Sequence, residues 1–380
     1  MMTRYDGMRL KVTIVLLATA LLGGCVVHET KPVAKVEARQ AKQQIPAAEL
    51  LDVGVREFDP GIPAAIAGDQ EALDKKRIYP DIRKAESRLL AVRLRATLEA
   101  SGQWGAVRVV PQGIEHLDLT VKGRIVESTG ARLELRIDAL DATGRVWIKD
   151  RAYSGEADIG TYKTDAALRA RDPFQNVYSQ IANDLLAARE ALAAAQRREI
   201  RQVAELRFAQ DLDPRRFEGY LQRDAGGTLR VARLPPQDDP ALARIAKIRE
   251  RDAAVIDTVD GYSGGFAEQL FDPYGGWRRT SREAIEKEER VRNQALTRTA
   301  LGAAAVLASI FVPSNCAGND YNCQRIDSAL RTTASMGGVA AVLSGIQKYS
   351  DAKTAAQEVK ELADSFGSEA AGQTVEVEGR

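Results

Sequence analysis

Few side chains in this 380-residue chain are equipped for chemistry. It has three cysteines, Cys25, Cys316 and Cys323, and two histidines, His28 and His116. Six residues separate Cys316 from Cys323, within Pro313-Ser-Asn-Cys-Ala-Gly-Asn-Asp-Tyr-Asn-Cys323, a stretch dense in turn-forming residues. That spacing matches neither a C-x-x-C redox pair nor a zinc ribbon, and no histidine is near. A Ser-His-Asp triad would have to recruit His28 or His116. The patterns G-x-x-x-x-G-K-[ST] and H-E-x-x-H are absent, and no G-x-G-x-x-G follows a strand. The 53 carboxylates include no pair that spacing singles out for glycoside hydrolysis. Asp257, Asp260 and Asp272 lie near a glycine-rich stretch and could hold Ca²⁺, but the residue order of an EF-hand is missing. No catalytic residue, metal ligand or cofactor is therefore expected.

The N-terminus is more informative. Val12–Leu22 is an apolar run preceded by Arg9 and Lys11 and followed by small residues. This is the layout of a secretory signal, too short to span a bilayer. Asp6 is unusual in such a leader, and Met8 offers an alternative start directly ahead of Arg9-Leu-Lys11. The run ends Leu22-Gly-Gly-Cys25, which resembles the bacterial lipobox. The resemblance implies cleavage after Gly24 and acylation of the Cys25 thiol, anchoring the chain in a lipid bilayer. Each buried methylene adds about 0.8 kcal/mol, so several acyl chains hold firmly. Val26 and Val27 stand where an inner-membrane retention signal would place an Asp, which points to the outer membrane and its periplasmic face. In that oxidising compartment Cys316 and Cys323 are expected to form a disulfide, adding about 2–3 kcal/mol at most by closing a short loop.

Composition is that of an ordinary globular protein: 44% hydrophobic and 28% charged, with a net charge of +1. Removing residues 1–24 takes away Arg4, Arg9 and Lys11 against Asp6, leaving 51 positive and 52 negative groups. Neither balance suits a nucleic-acid partner.

The elements that must position these residues read as an α+β arrangement. Residues 25–47 are polar and rich in Lys, Gln and Ala, and read as a flexible tether. Residues 48–165 read as an α+β domain. Leu50–Phe58 has strand character, and Asp59-Pro-Gly-Ile-Pro63 breaks it. Pro80–Leu98 is an amphipathic helix with Ile82, Ala85, Leu89, Val92 and Ala96 on one face, Pro80 in its first turn and Gly102 past its end. The period then switches to two through Val107–Pro111, Leu117–Val126, Leu133–Ala139 and Arg145–Tyr153, with a turn at Asp141-Ala-Thr-Gly144. One helix layer on a sheet with an antiparallel meander is the expected fold.

Asp118-Leu-Thr-Val-Lys-Gly-Arg-Ile125 followed by Asp141-Ala-Thr-Gly-Arg-Val-Trp147 resembles the core of the CsgG/TolB-N-like envelope lipoproteins. The likeness covers about residues 48–160. It implies a periplasmic domain that works within an envelope assembly. No pair of long amphipathic strands for a barrel is evident, which separates this chain from the pore-forming member. No functional residue of the family maps onto it.

Beyond this domain the chain reads as mainly α-helical. Residues 172–210 suggest one long helix, with Asp172 as N-cap, Pro173 at its first position, and Val177, Ile181, Leu185 and Leu186 on its apolar face. Residues 211–280 suggest linker and loop, interrupted by a short helix at about 240–256. They contain the aromatic-glycine segment Asp257–Trp277, which reads either as a surface for a partner or as a plug in the domain's own core. Residues 281–380 suggest a disulfide-linked helical hairpin. A helix over Thr280–Val312 and a second apolar run over Thr332–Ile346 flank the Cys316–Cys323 loop, with helical and strand signals in the tail at Val359–Ser365 and Thr374–Glu378. Each apolar run is shorter than the ~20 residues needed to span a bilayer, and Gly302, Ala305, Gly337, Gly338 and Ala341 would permit close helix approach.

The sequence thus points to a lipid-anchored outer-membrane lipoprotein that scaffolds or regulates an envelope protein complex without being an enzyme. The alternatives are an export component that forms homo-oligomers through residues 299–346 and, behind it, an envelope hydrolase.

Overall fold

The structure is a computed structural model that describes residues 34–311, apart from 112, 115, 237 and 238. Its strands are β1 (Val53–Arg56), β2 (Val107–Val110), β3 (Leu119–Ser128), β4 (Arg132–Asp141), β5 (Val146–Glu156), β6 (Leu221–Arg223) and β7 (Leu229–Val231). Its helices are α1 (Gln70–Lys75), α2 (Pro80–Ala100), α3 (Asp165–Ala170), α4 (Gln175–Glu190), α5 (Ala194–Leu212), α6 (Pro240–Gln269) and α7 (Phe271–Phe311).

Five strands form one sheet in the order β2-β1-β3-β4-β5. β1 is central to a parallel trio with β2 and β3, and α2 supplies the crossover that a parallel β1–β2 pair requires. β3, β4 and β5 continue as an antiparallel meander. The α+β class and the meander read from the period-two stretches are both present.

Alternation decides which face is covered. Leu133, Leu135, Ile137 and Ala139 of β4 are fully buried, while the residues between them are half-buried. They share a core with Leu90, Leu94 and Leu98 of α2 and Val177, Ile181 and Leu185 of α4. The β4–β5 turn is organised by Asp141, which accepts hydrogen bonds from the Thr143 backbone N–H and from Trp147 Nε1 (2.9 and 2.8 Å). Gly144 follows at φ +85°, where a side chain would be strained. Gly123 makes room for the Phe58 ring, which would stand 2.6 Å from a Cβ there. The residues quoted for the resemblance therefore build β3 and the β4–β5 hairpin.

Helix α2 differs from its expected one-sided form. Ile82, Ala85 and Leu89, read as its core face, pack against α6 and α7. Leu90, Ala91, Leu94 and Leu98 pack a second face on the sheet, and Ala96 is exposed. A helix covered on two sides carries apolar residues on both.

Four other expectations need correction. The tether does not extend to residue 47. Val36 and Arg39 donate their backbone N–H groups to the side-chain oxygens of Asn176 and Asn183 on α4, and the Ala41 N–H reaches the Ser101 carbonyl. The single long helix over 172–210 is two, because Ala193 is extended (ψ 154°) and its N–H is capped by the Gln196 side chain. This break lets Ile200, Val203 and Ala204 of α5 enter the same core as α4. Part of residues 211–240 forms the β6–β7 hairpin, fastened to the sheet by a hydrogen bond from Leu229 N–H to the Thr143 carbonyl. Finally, Asp257–Trp277 is helix, not loop. Phe266, Leu270, Tyr274, Trp277 and Ile285 recur every three, four or eight residues and bury against Tyr79, Ile82, Ala85 and Leu89. Phe266, Tyr274 and Trp277 are therefore core residues rather than a partner surface.

Helix α7 continues without interruption into the apolar run that begins at Thr299. Among the described residues, no helix is long and apolar enough to cross a membrane. The signal peptide, Cys25, His28, the Cys316–Cys323 pair and the remainder of the 299–346 hairpin lie outside the described residues.

Candidate functional site

Of the residues singled out by chemistry, His116 is described, and it lies near Asp118, Asp52, Asp252 and Phe208 around a cavity of about 60 Å³. Its Nε2 is 3.1 Å from Asp211 Oδ2, and its ring meets Phe208 edge-on. Asp118 accepts the Asp52 backbone N–H through Oδ2 (2.9 Å), and its Oδ1 has no hydrogen-bond partner among the described residues. Burial, with the Asp52 charge adding to it, pushes the Asp118 carboxyl up to about 6. Asp52 in turn accepts the Ala106 N–H. Among the described residues no serine, threonine or cysteine lines the cavity, and its volume is far below the ~300–1,000 Å³ of ligand pockets. These acids fasten β1, β3 and the segment before β2 to one another.

The three aspartates considered for Ca²⁺ are held by three arginines. Asp257 pairs with Arg108, Asp272 with Arg169, and Asp260 with Arg95 (2.6 Å) while also accepting the Val109 N–H. Among the described residues no cluster of three or more His, Cys, Asp or Glu is placed to hold a metal ion.

A larger constellation, not anticipated from sequence, lies where α7 crosses the sheet domain. Arg278 of α7 is buried, and its Nη1 donates to Asp172 Oδ2 at 3.1 Å. Asp172 also accepts the Phe174 N–H and has Arg93 Nε at 3.6 Å. Although burial opposes ionisation, these cations hold the Asp172 carboxyl below the usual carboxylate range. The guanidinium stacks over Phe174 and Tyr274, 4.4 and 4.9 Å from the ring centroids. One turn away, Glu86 of α2 is fully buried, and its Oε1 accepts from Tyr274 Oη (2.7 Å) and Ser128 Oγ (2.6 Å). Burial drives the Tyr274 hydroxyl well above its usual range, so it remains a donor. Gly130 allows α7 to approach, since a Cβ there would stand 1.9 Å from the Arg278 carbonyl oxygen. Further along, Glu288 accepts a hydrogen bond from Arg77 (2.9 Å).

This polar seam ends at a cleft of about 1010 Å³ bounded by the Asp59–Pro63 loop, the α1–α2 junction, β3 and α7. Arg83 of α2 lines it and is 3% exposed. The arrangement can do two things: fix α7 on the domain, and present buried positive charge to an open cleft.

No protein-family model, no curated protein and no solved structure matches the chain.

Proposed function

We propose that this protein is a lipid-anchored lipoprotein of the outer membrane, facing the periplasm, that acts as a non-enzymatic scaffold or regulator of an envelope complex. The observation that carries this reading is the clamping of α7. Buried charge and aromatic packing fix its N-terminal half to the sheet domain, from Tyr274 and Arg278 through Ile285 to Glu288, and the helix continues unbroken to Phe311, a total of 41 residues or about 60 Å. A rigid helix held along its N-terminal half is suited to presenting a docking face to another protein.

The lipobox-like Leu22-Gly-Gly-Cys25 supports the anchor. Because the chain is held against α4 from Val36 onward, only eleven residues lead back to Cys25, a reach of at most about 38 Å. The anchored domain would work close to the membrane. Kinship with the CsgG/TolB-N-like lipoproteins belongs to this proposal and rests on the residues of β3 and the β4–β5 turn alone.

Crosslinking in intact cells, followed by detergent purification and mass spectrometry, tests the reading. A recurrent envelope protein crosslinked to α7 is the expected result. Recovery of self-crosslinked species alone would overturn it in favour of the second reading, a homo-oligomer formed through residues 299–346. The observation favouring that alternative is that the apolar run from Thr299 extends the docked helix as far as Phe311.

A further inference from the structure

The cleft beside the seam has an electrostatic character that scaffolding does not require. Seven basic and four acidic side chains line it, an excess of three positive charges. The acids are already engaged. Glu288 pairs with Arg77, Glu127 with Arg132, Asp74 accepts from Gln70, and Asp59 accepts the Gly61 N–H. Among the cations, Lys75 pairs with Glu71, and Arg124 and Arg136 with Asp150, whereas the side chains of Lys76 and Arg292 are exposed and have no hydrogen bond or ion pair among the described residues.

Arg83 is the decisive residue. Its guanidinium is withdrawn from water, yet its Nη1 has no hydrogen-bond partner among the described residues. Among the described residues its one ion pair, to Glu86 Oε2, spans 3.8 Å, too long for a hydrogen bond. Glu86 cannot close the gap, because Ser128 and Tyr274 hold its other oxygen in place. A buried arginine with an unfilled donor is costly, and a ligand that supplies the missing acceptor removes the cost. Arg77 adds a further detail. It closes α1 at φ +54°, a position glycine ordinarily takes, with the Ile78 N–H bonded to the Leu73 carbonyl and the Arg77 N–H to that of Asp74. That conformation places an arginine at the mouth of the cleft.

We infer that this cleft is a binding site for a phosphate-bearing ligand, a phosphate monoester or diphosphate whose oxygens meet Arg83, Lys76 and Arg292. Two or three negative charges suit Arg83, Lys76 and Arg292, the lining cations that no acid among the described residues holds at hydrogen-bond distance, and a forked guanidinium suits phosphate oxygens. Ile62, Pro63, Ile78 and Val126 form the apolar part of the wall and would carry the body of the ligand. The phosphate could belong to a soluble molecule or to a lipid headgroup, and the chemistry at Arg83 is the same. The inference is independent of the anchor at Cys25.

The test uses the full mature chain carrying Cys25→Ser. Calorimetric titration with inorganic pyrophosphate probes the soluble source. Flotation with phosphatidylcholine vesicles, with and without phosphatidic acid, whose headgroup is a phosphate monoester, probes the lipid source. Saturable binding of one or both probes is expected, weakened at least tenfold in Arg83→Gln and in the surface double variant Lys76→Glu/Arg292→Glu, and falling as salt rises. Pyrophosphate binding alone identifies a soluble ligand, and vesicle binding alone identifies a headgroup. Absence of saturable binding to either probe overturns the inference, as does binding that the surface double variant leaves unchanged. The surface variant keeps the test valid if Arg83→Gln does not fold.

Discussion

The two faces of α2 hold the molecule together by different means. Toward the sheet, Leu90, Ala91, Leu94 and Leu98 meet strand side chains in a continuous apolar core. Toward α6 and α7, Ile82, Ala85 and Leu89 are joined by buried Arg83 and Glu86, and the opposing helix brings Arg278, Tyr274 and Ser281. An apolar face rewards any close packing, whereas a buried polar seam is stable only in the register that satisfies its charges. The sheet side therefore makes the domain, and the helix side specifies where α7 sits on it.

The sharpest way to break this contrast is at Arg278. Arg278→Met would strand the Asp172 carboxylate without its buried partner and should cost about 3–5 kcal/mol in chemical denaturation. Asp172 is held below the usual carboxylate range, so its contribution is present at neutral pH and is lost as pH falls through and below that range. The wild-type advantage over Arg278→Met should shrink in acid. On the apolar side, Leu94→Ala opens a cavity at a fully buried position and should cost about 2–5 kcal/mol, with no comparable pH dependence.

Asp118 reverses the sign. It ionises in the unfolded chain near 3.8 but only near 6 when folded. Below pH 3.8 it is protonated in both states and costs nothing. As pH rises from about 4 to 6 only the unfolded state ionises, and stability falls by about 2–3 kcal/mol before levelling off. The stability of Asp118→Asn relative to wild type should therefore increase between pH 4 and pH 7 in denaturant titrations. The smallest effect is expected at Gly130. A methyl group there presses on the backbone at Arg278 and Arg282, and Gly130→Ala should cost about 1–3 kcal/mol. Hydrogen exchange should show faster opening at α7 than in β3–β5. Equal acceleration in both would mean that the two faces of α2 are not separable.

The same contrast separates what sequence could show from what it could not. The meander was legible because strict alternation survives wherever one face of a sheet is covered, and the Asp141-Ala-Thr-Gly144 turn carries its own chemistry. The outer face of α2 was legible from Ile82, Ala85 and Leu89, but Leu90, Leu94 and Leu98 describe a second stripe that a one-sided reading sets aside. Residues 257–277 were misread because Gly261, Gly264, Gly265, Gly275, Gly276 and Pro273 are local signals against helix. Tertiary burial of Phe266, Leu270, Tyr274 and Trp277 outweighed them, and their spacing was the available clue. The seam and the cleft were not legible. The Arg83–Glu86 pair, Asp172 and Arg278 come from three separate stretches of chain, and whether an arginine is solvated or buried is decided by what packs over it. The docked segment at residues 36–41 escaped for a related reason, since it is held by backbone groups bonded to Asn176 and Asn183 and has no apolar period of its own.

The central functional claim is attachment of the clamped domain to a membrane through Cys25. Metabolic labelling with an alkyne fatty acid, compared between wild type and Cys25→Ser and read alongside membrane fractionation, tests it most directly. The account predicts a labelled, membrane-bound wild type and an unlabelled, soluble variant. A Cys25→Ser chain that still takes up label and stays with the membrane would contradict it.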